Sequence, residues 1–207
     1  MLGHYRLWDR GVQHNDISEK NLMYDKLNEN RGILNDFDLA HLADRDPPSG
    51  LERTGTMPFM ALDLLTDEAW EGGVKRLYRH DCESFAWVLL WICCRYEKGE
   101  EIPNAPLSTF ITGDYARCRQ VKYDILSELP GIKPTTSYKQ YWEASTDLVG
   151  QFVKDRFGRV RKNASLSELR DEEVMRRCLQ TLKSARVLIF AELLEGTLNS
   201  CPDGTQT

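Results

Sequence analysis

The sequence predicts a mainly α-helical domain with one small β-hairpin. The apolar run of residues 85–94, inside the stretch from about His80 to Arg95, is typical of a helix buried on nearly all sides. Two short apolar runs, residues 22–24 and 32–34, flank a polar stretch and predict the two strands of a hairpin. Apolar residues near helical spacing in residues 138–157 predict a second long helix.

Composition limits the class of protein. The chain has 207 residues, which suits one domain, since domains usually contain about 100–200 residues. Its formal net charge of -5 argues against a general nucleic-acid-binding surface. The longest apolar run is half the ~20 residues that a membrane span requires, and the N-terminus lacks the apolar core of a signal peptide. We therefore expect an intracellular protein, in the cytoplasm or the nucleus, that binds neither nucleic acid nor membranes.

The six cysteines are predicted to be free, buried thiols. None forms a Cys-x-x-Cys pair, and no histidine lies at zinc-finger spacing from them. Cys82, Cys93 and Cys94 lie within or beside the apolar central helix, where a thiol behaves as a small apolar group. Free thiols favour a reducing compartment over a disulfide framework.

The N-terminal elements are predicted in order along the chain. Residues 1–10 look like the end of a helix that Gly11 breaks, and a short extended piece leads to His14. Residues 25–31 are predicted to form the polar turn of the hairpin. Residues 43–56 are rich in Asp, Pro, Gly, Ser and Arg and predict a long loop.

The C-terminal half is predicted to be helical between loops. A short helix or turn is expected to start at residues 66–68 and to end at Gly72-Gly73, and a longer helix is expected over residues 115–129. Residues 165–168 (Ser-Leu-Ser-Glu) form a capping-box pattern for a last helix that reaches Glu195 and stops at Gly196. We expect one domain over residues 1–196 and a disordered tail over residues 197–207.

A basic run follows the second long helix pattern. Its members are Lys154, Arg156, Arg159, Arg161 and Lys162. We interpret this run as a solvated helix end, with a nuclear-import patch as the alternative.

Two short motifs carry the chemistry. His14, Asp16 and Asn21 form the pattern His-x-Asp-x-x-x-x-Asn, and Asp36-Phe37 follows fifteen residues after Asn21. Phosphoryl transfer needs a group that orients the attacking hydroxyl, hard oxygen ligands for magnesium, and positive charge near the phosphates. Asp16 can orient a hydroxyl, Asp36 can chelate magnesium, and the amide oxygen of Asn21 can bind a second magnesium ion.

This order of motifs resembles the protein kinase superfamily, in which His-Arg-Asp-x-x-x-x-Asn precedes Asp-Phe-Gly. Residues 55–63 (Gly-Thr-Met-Pro-Phe-Met-Ala-Leu-Asp) look like the end of an activation segment, and residues 80–85 (His-Asp-Cys-Glu-Ser-Phe) look like the start of the central kinase helix. The particular variants resemble the fungal-type protein kinases over residues 5–95. The resemblance implies a kinase-like C-terminal lobe with a catalytic loop at 14–21, a metal-binding loop at 36–38 and an activation segment at 36–63.

The resemblance also implies roles for single residues. Asp16 would be the catalytic Asp, Asn21 and Asp36 would hold magnesium, and ATP and a protein Ser/Thr hydroxyl would be the substrates. Asp81 would hold the catalytic loop, and Asp63 would take the place of a Glu that pairs with an arginine, for which Arg156 is the candidate. As structural alternatives, Asp16 and Asp36 are turn-forming acids and Asn21 only bridges backbone groups. His14 is expected to be a packed structural histidine and Phe37 a core residue.

The sequence also departs from the kinase pattern. Asn15 replaces the arginine that grips an activation-loop phosphate, so we expect no such control. Ser18 replaces a lysine, and Lys20 is the candidate to contact the cofactor in its place. Asp38 replaces the glycine of Asp-Phe-Gly, which adds charge and removes backbone freedom.

Only 13 residues precede His14, too few for a glycine-rich loop, a strand-borne lysine and its partner glutamate. We therefore expect the chain to represent the C-terminal lobe without the N-terminal lobe. On its own it is expected to bind ATP weakly or not at all. The uncovered apolar surface is expected to favour self-association or the binding of a partner.

Three functions stay open at this point. The first is a protein Ser/Thr kinase, favoured by residues 55–61 and 80–84. The second is a small-molecule phosphotransferase of the aminoglycoside or choline kinase type, which Asp38 suits. The third is a pseudokinase-like binding module, for which Asn15 and Ser18 speak.

Overall fold

A computed structural model describes residues 2–25, 28–42, 55–162 and 171–184 of the chain. Most of the predicted loop at 43–56, the capping box at 165–168, the last helix beyond residue 184 and the tail at 197–207 lie outside these residues. Within the described residues, six α-helices run in the order α1 Leu2–Asp9, α2 Asp67–Trp70, α3 Tyr78–Arg95, α4 Tyr115–Glu128, α5 Trp142–Lys162 and α6 Asp171–Ser184. The strands are β1 Val12–Gln13, β2 Leu22–Asp25, β3 Asn28–Leu34, β4 His41–Leu42, β5 Tyr96–Glu97 and β6 Glu100–Glu101.

Helix α3 is the centre of the fold, as its apolar sequence predicts. Of its 18 residues, all except Ile92 are buried. A helix without a polar face has to be covered on every side, and the long helix α5 together with α6 supplies much of that cover. The mainly α-helical class and the central helix are therefore confirmed.

Helix α5 covers α3 with one apolar stripe. Ala144, Leu148, Val149 and Val153 recur at spacings of four, one and four residues and are all buried. Phe157 and Val160, near the C-terminal end of the same helix, are exposed. Helix α6 adds Val174 and Cys178, one turn apart, to the same core.

The predicted hairpin is present as the antiparallel pair β2–β3. Leu22 pairs with Leu34 and Met23 with Ile33. The turn is shorter than predicted, because β3 already begins at Asn28. Strand pairing extended into the polar residues that sequence reasoning assigned to the turn, since backbone hydrogen bonds do not depend on apolar side chains.

A second hairpin, β5–β6, was not predicted. Its residues are mostly charged, so the apolar pattern of a strand is missing. The chain reverses at Lys98 and Gly99, whose φ angles of 52° and 87° match the two-residue turn that suits hairpins. Arg95 holds the hairpin by an ion pair with Glu101 and stacks its guanidinium 4.0 Å from the Trp91 ring centre.

The other helices agree with the sequence in type and nearly in bounds. Helix α2 starts where predicted, because the Thr66 hydroxyl accepts a hydrogen bond from the Ala69 N–H at 3.2 Å and caps the first turn. Asp114 caps α4 in the same way through the Arg117 N–H at 3.1 Å. Helix α5 starts at Trp142, later than the apolar pattern begins, and is preceded by a single 3₁₀ turn at Lys139–Tyr141.

The described cysteines agree with the prediction of free, buried thiols. The five cysteines among the described residues, at positions 82, 93, 94, 118 and 178, are free and buried. Burial raises the pKa of the Cys93 and Cys94 thiols to about 12, so both stay protonated.

In the described parts of the chain, no helix has both the length and the apolar character needed to cross a membrane.

The packing of α5 on α3 predicts a stability difference between two residues of one helix. Leu148→Ala empties a buried site and should lower the free energy of unfolding by about 2–5 kcal/mol. Val160→Ala, at an exposed position near the C-terminal end of α5, should change it by less than about 0.5 kcal/mol. Urea unfolding followed by tryptophan fluorescence measures both variants, and equal effects would contradict the assignment of the buried stripe.

Candidate active site

His14 joins the two motif loops. Its ring is buried, as predicted for a structural histidine, with 1% exposure. Nε2–H donates to the Asn35 carbonyl at 2.9 Å, while Nδ1 accepts from the Asp16 N–H at 3.3 Å. The residue just before Asp36 is therefore tied to the start of the loop that carries Asp16.

The Asp16 carboxylate is held from two sides. Oδ1 accepts hydrogen bonds from the backbone N–H of Thr56 at 2.6 Å and from its hydroxyl at 2.7 Å. Oδ2 accepts from the Asn21 side-chain amide at 3.1 Å, and the same amide donates to the Asp16 carbonyl at 2.9 Å. A carboxylate offers about four acceptor sites, so these three bonds leave Oδ2 able to accept one more.

Gly55 lets this arrangement form. Its φ angle is 123°, and a Cβ atom there would lie 2.9 Å from the Asn15 carbonyl oxygen. Only glycine combines this backbone conformation with such a close approach. Thr56 reaches Asp16 because its neighbour has no side chain.

Asp36 lies next to this group in a strained backbone conformation. The Asn35 N–H donates to the Asn21 carbonyl at 2.9 Å, which places Asp36 beside the Asn21 loop. Asp36 has a φ of 60° and Asn15 a φ of 69°, in the left-handed region that Asp and Asn tolerate better than most residues. Such conformations cluster at functional sites. The Asp36 side chain is exposed.

The prediction that Phe37 is a core residue is wrong. Phe37 is 41% exposed, and its ring meets the His14 ring edge-on with centroids 4.6 Å apart. One face is therefore packed while the other reaches solvent. An aromatic residue next to a polar motif carries no information about which faces its neighbours cover, so sequence reasoning placed it too deep.

The oxygen atoms of this site suit magnesium. The amide nitrogen of Asn21 is committed to Asp16, so its oxygen is left as the ligand atom, and Asp36 adds an exposed carboxylate. Within the described residues, no three His, Cys, Asp or Glu side chains converge into a metal cluster.

Lys20, the predicted cofactor contact, and Ser18, two residues before it, differ in exposure. Lys20 lies in the 3₁₀ turn between Asp16 and Asn21 and is exposed. Ser18, at the position that a lysine usually takes in the kinase pattern, is buried. The positive charge of this loop is therefore located at Lys20.

Asp81 is linked to the loop of residues 14–21 through an arginine. Its Oδ1 accepts from Arg76 at 2.8 Å, and the same guanidinium donates to the Asn15 carbonyl at 2.8 Å. Oδ2 accepts from His4 Nε2 at 3.0 Å, which attaches helix α1. Burial alone would raise the pKa of Asp81, but Arg76 and His4 lower it below its usual range.

A comparison with protein families agrees with this arrangement. Residues 1–93 match the model of the family described as fungal protein kinase. None of the curated proteins compared with the chain matches it. The matched region contains Asp16, Asn21, Asp36, Asp63 and Asp81, whereas Arg156 lies beyond it.

Asp63 pairs with three arginines rather than one. The expected contact is present, with Arg156 Nε donating to Oδ1 at 2.8 Å. Arg79 and Arg159 donate to Oδ2 at 2.6 and 2.9 Å. Although burial opposes ionisation, His80 and then Arg79 and Arg159 hold the pKa of Asp63 well below its usual range.

Two further buried charged side chains hold the backbone of residues 60–62. Lys122 Nζ donates to the Met60 carbonyl at 2.5 Å and lies 4.4 Å from the Trp87 ring centre. Glu83 Oε1 accepts from the Leu62 N–H at 2.9 Å. Burial lowers the pKa of Lys122 to about 8. Both residues act on the backbone, so they position the segment without touching the predicted site.

Sequence reasoning missed several residues that support this site. They are His4, Thr56, Arg76, Arg79, Glu83, Lys122 and Arg159. The spacing of Arg156 and Arg159, three residues apart on one helix, could have indicated that both face Asp63. Nothing in the pattern could have indicated Arg76 or Lys122, because each contacts a carbonyl far away in sequence.

The Asp63 cluster predicts how acid affects stability. Asp63→Asn should lower the free energy of unfolding at pH 7 by about 3–5 kcal/mol, because it leaves buried guanidinium groups without their carboxylate. The folded pKa of Asp63 lies below its unfolded value, so the contribution is present above about pH 4 and is lost as the pH falls. The difference in unfolding free energy between the wild type and Asp63→Asn should therefore narrow below about pH 4, by at most about 1.4 kcal/mol per pH unit.

Urea unfolding at pH 7 and pH 3 measures this gap. Asp147→Asn, at an exposed position of α5, is the matched control and should change the unfolding free energy at pH 7 by less than about 0.5 kcal/mol. A gap for Asp63→Asn that is equally large at both pH values would contradict the assigned role of its charge.

Proposed function

We propose that this chain carries the catalytic residues of a protein kinase that transfers phosphate from ATP to Ser or Thr hydroxyls of proteins. The observation that supports this most is the Asp16 carboxylate, held by Thr56 and Asn21 with one acceptor position left. A fixed carboxylate of this kind can accept the hydrogen bond of a substrate hydroxyl and orient its oxygen. The family of residues 1–93 supports the same chemistry.

The other residues would act around this carboxylate. Asn21 and Asp36 would hold magnesium, which neutralises charge on the phosphates when ATP is bound. Lys20, exposed in the same loop, would contact a phosphate oxygen. His14 would keep the two loops in register through Asn35 without exchanging a proton.

Substitution of the site residues tests the proposal. The isolated chain is expected to transfer phosphate slowly. With ATP, magnesium and a mixture of Ser/Thr-rich proteins, Asp16→Asn should lower this slow rate of transfer by at least about 100-fold. Asp36→Asn should also weaken magnesium-dependent nucleotide binding, which a thermal-shift titration measures separately. Asp147→Asn, at an exposed acid of α5 outside the two motif loops, is the matched control and should leave both quantities near those of the wild type.

The outcomes separate the three open functions. Transfer to proteins that depends on Asp16 supports the kinase, whereas transfer only to an amino alcohol or an aminoglycoside supports the small-molecule phosphotransferase. Nucleotide binding that depends on Asp36 without any transfer supports the binding module. Transfer that survives Asp16→Asn contradicts the assignment of Asp16.

We further propose that the chain contacts a second copy of itself through the hairpin face. This face is defined by five exposed large apolar side chains on the hairpin and the segment after it: Met23, Ile33, Phe37, Leu39 and Leu42. Met23 and Ile33 are direct cross-strand neighbours, so their side chains form one continuous apolar area. Exposed groups of this kind mark interaction surfaces.

Sedimentation velocity over a range of protein concentrations tests this contact. We expect reversible association that Ile33→Lys weakens by at least about tenfold, because a charge would be buried in the contact. Ile111→Lys, at an exposed apolar residue elsewhere, should leave the association unchanged. A monomer at every concentration would contradict the proposal.

A further inference from the structure

The cluster around Asp63 contains more positive than negative charge. Three guanidinium groups, from Arg79, Arg156 and Arg159, contact one carboxylate, which leaves an excess of two positive charges among the contacting groups. The nearby His80 imidazole adds no compensation, since it brings no negative charge, and burial lowers its pKa. Buried charge of one sign is unfavourable unless an opposite charge balances it.

The acids nearest to this cluster are engaged elsewhere. Glu83 accepts hydrogen bonds from the Leu62 N–H at 2.9 Å and from the Trp87 indole at 3.1 Å. Asp155, on the same helix as Arg159, pairs with Arg177 at 2.8 Å. Helix α4 contributes the Tyr123 hydroxyl, which bonds to Arg156, and the positive charge of Arg119 near that ring. The surrounding elements therefore only partly offset the positive excess.

The repulsion is visible in Arg159 itself. Burial lowers its pKa from the ordinary value, and the charge of Arg79 lowers it further. The two groups are held close together because both need the same oxygen of Asp63.

The guanidinium groups also have unused donors. Each carries five N–H groups, of which the contacts among the described residues use one bond from Arg79, two from Arg156 and one from Arg159. The side chains of Arg156 and Arg159 are still 15% and 13% exposed, so their outer edges reach the surface. They lie three residues apart on α5 and therefore point to the same side of that helix.

We propose that Arg156 and Arg159, with Arg79 behind them, form a binding site for a phosphate group. Two neighbouring guanidinium forks match the geometry of a phosphate, which can accept paired hydrogen bonds from each. A bound dianion would balance the two excess charges of the cluster. This site is part of the cluster around Asp63 and does not depend on the proposed transfer reaction.

Titration with inorganic phosphate tests the site. At constant ionic strength set with sodium chloride, we expect saturable phosphate binding, followed by calorimetry or phosphorus NMR. Arg159→Met should weaken that binding by at least about tenfold, because it removes one of the two forks. Arg161→Met, at an exposed arginine two residues further along the same helix, should leave the affinity within about twofold.

A conservative variant distinguishes loss of phosphate binding from loss of folding. Arg159→Lys keeps the charge without the planar fork, and we expect a folded protein with phosphate affinity between those of the wild type and Arg159→Met. A short phosphoserine peptide and inorganic phosphate, measured side by side, show which source of phosphate the site prefers. Phosphate binding that is absent, or that is unaffected by both Arg159 variants, would overturn the proposal.

Discussion

The structure depends on three charged side chains that are buried in the first two turns of helix α3. Arg79, Asp81 and Glu83 have 6%, 0% and 3% exposure, although the rest of the helix is almost entirely apolar. A buried charge is tolerated only when it is paired or hydrogen-bonded. Arg79 and Glu83 find their partners in the segment at residues 62–63, whereas Asp81 contacts His4 and Arg76. The start of one helix therefore fixes that segment, helix α1 and, through Arg76, the backbone of Asn15.

The contacts of these three side chains position the segments that carry the proposed active site. Asp81 holds Arg76, which donates a hydrogen bond to the carbonyl of Asn15 in the loop of residues 14–21. Glu83 and Arg79 hold Leu62 and Asp63 at the end of the segment that begins at Gly55. That segment returns Thr56 to Asp16, so both ends of the proposed active site depend on the same two helical turns.

Helix α5 combines a structural and an electrostatic role. Its N-terminal and middle turns pack Leu148 and its neighbours against α3, while its C-terminal turns bring Arg156 and Arg159 to Asp63. The two roles are linked, because the apolar stripe sets the rotation of the helix and thereby directs both arginines to one carboxylate. The excess of positive charge at that point is a consequence of this geometry.

The sequence predicted the elements better than their connections. The central helix, the hairpin, the short helix after Thr66 and the helix near Tyr115 follow from local apolar patterns and caps. The polar hairpin β5–β6 was missed because it has no apolar pattern, and Phe37 was placed in the core because a pattern does not report how deeply a residue lies. The candidate residues His14, Asp16, Asn21 and Asp36 were recognised from spacing alone.

By itself, the sequence determined the helical class, the match of residues 1–93 to the fungal protein kinase model and the identity of the candidate ligands, since these depend on residue order over short distances. Only the tertiary structure decided that Thr56 holds Asp16, that Arg76 links Asp81 to the backbone of Asn15, and that three arginines share Asp63. The reason is physical. Each of these bonds joins residues that are brought together by the packing of helices around α3, and the pattern of one segment contains no information about which distant carbonyl or carboxylate will face it.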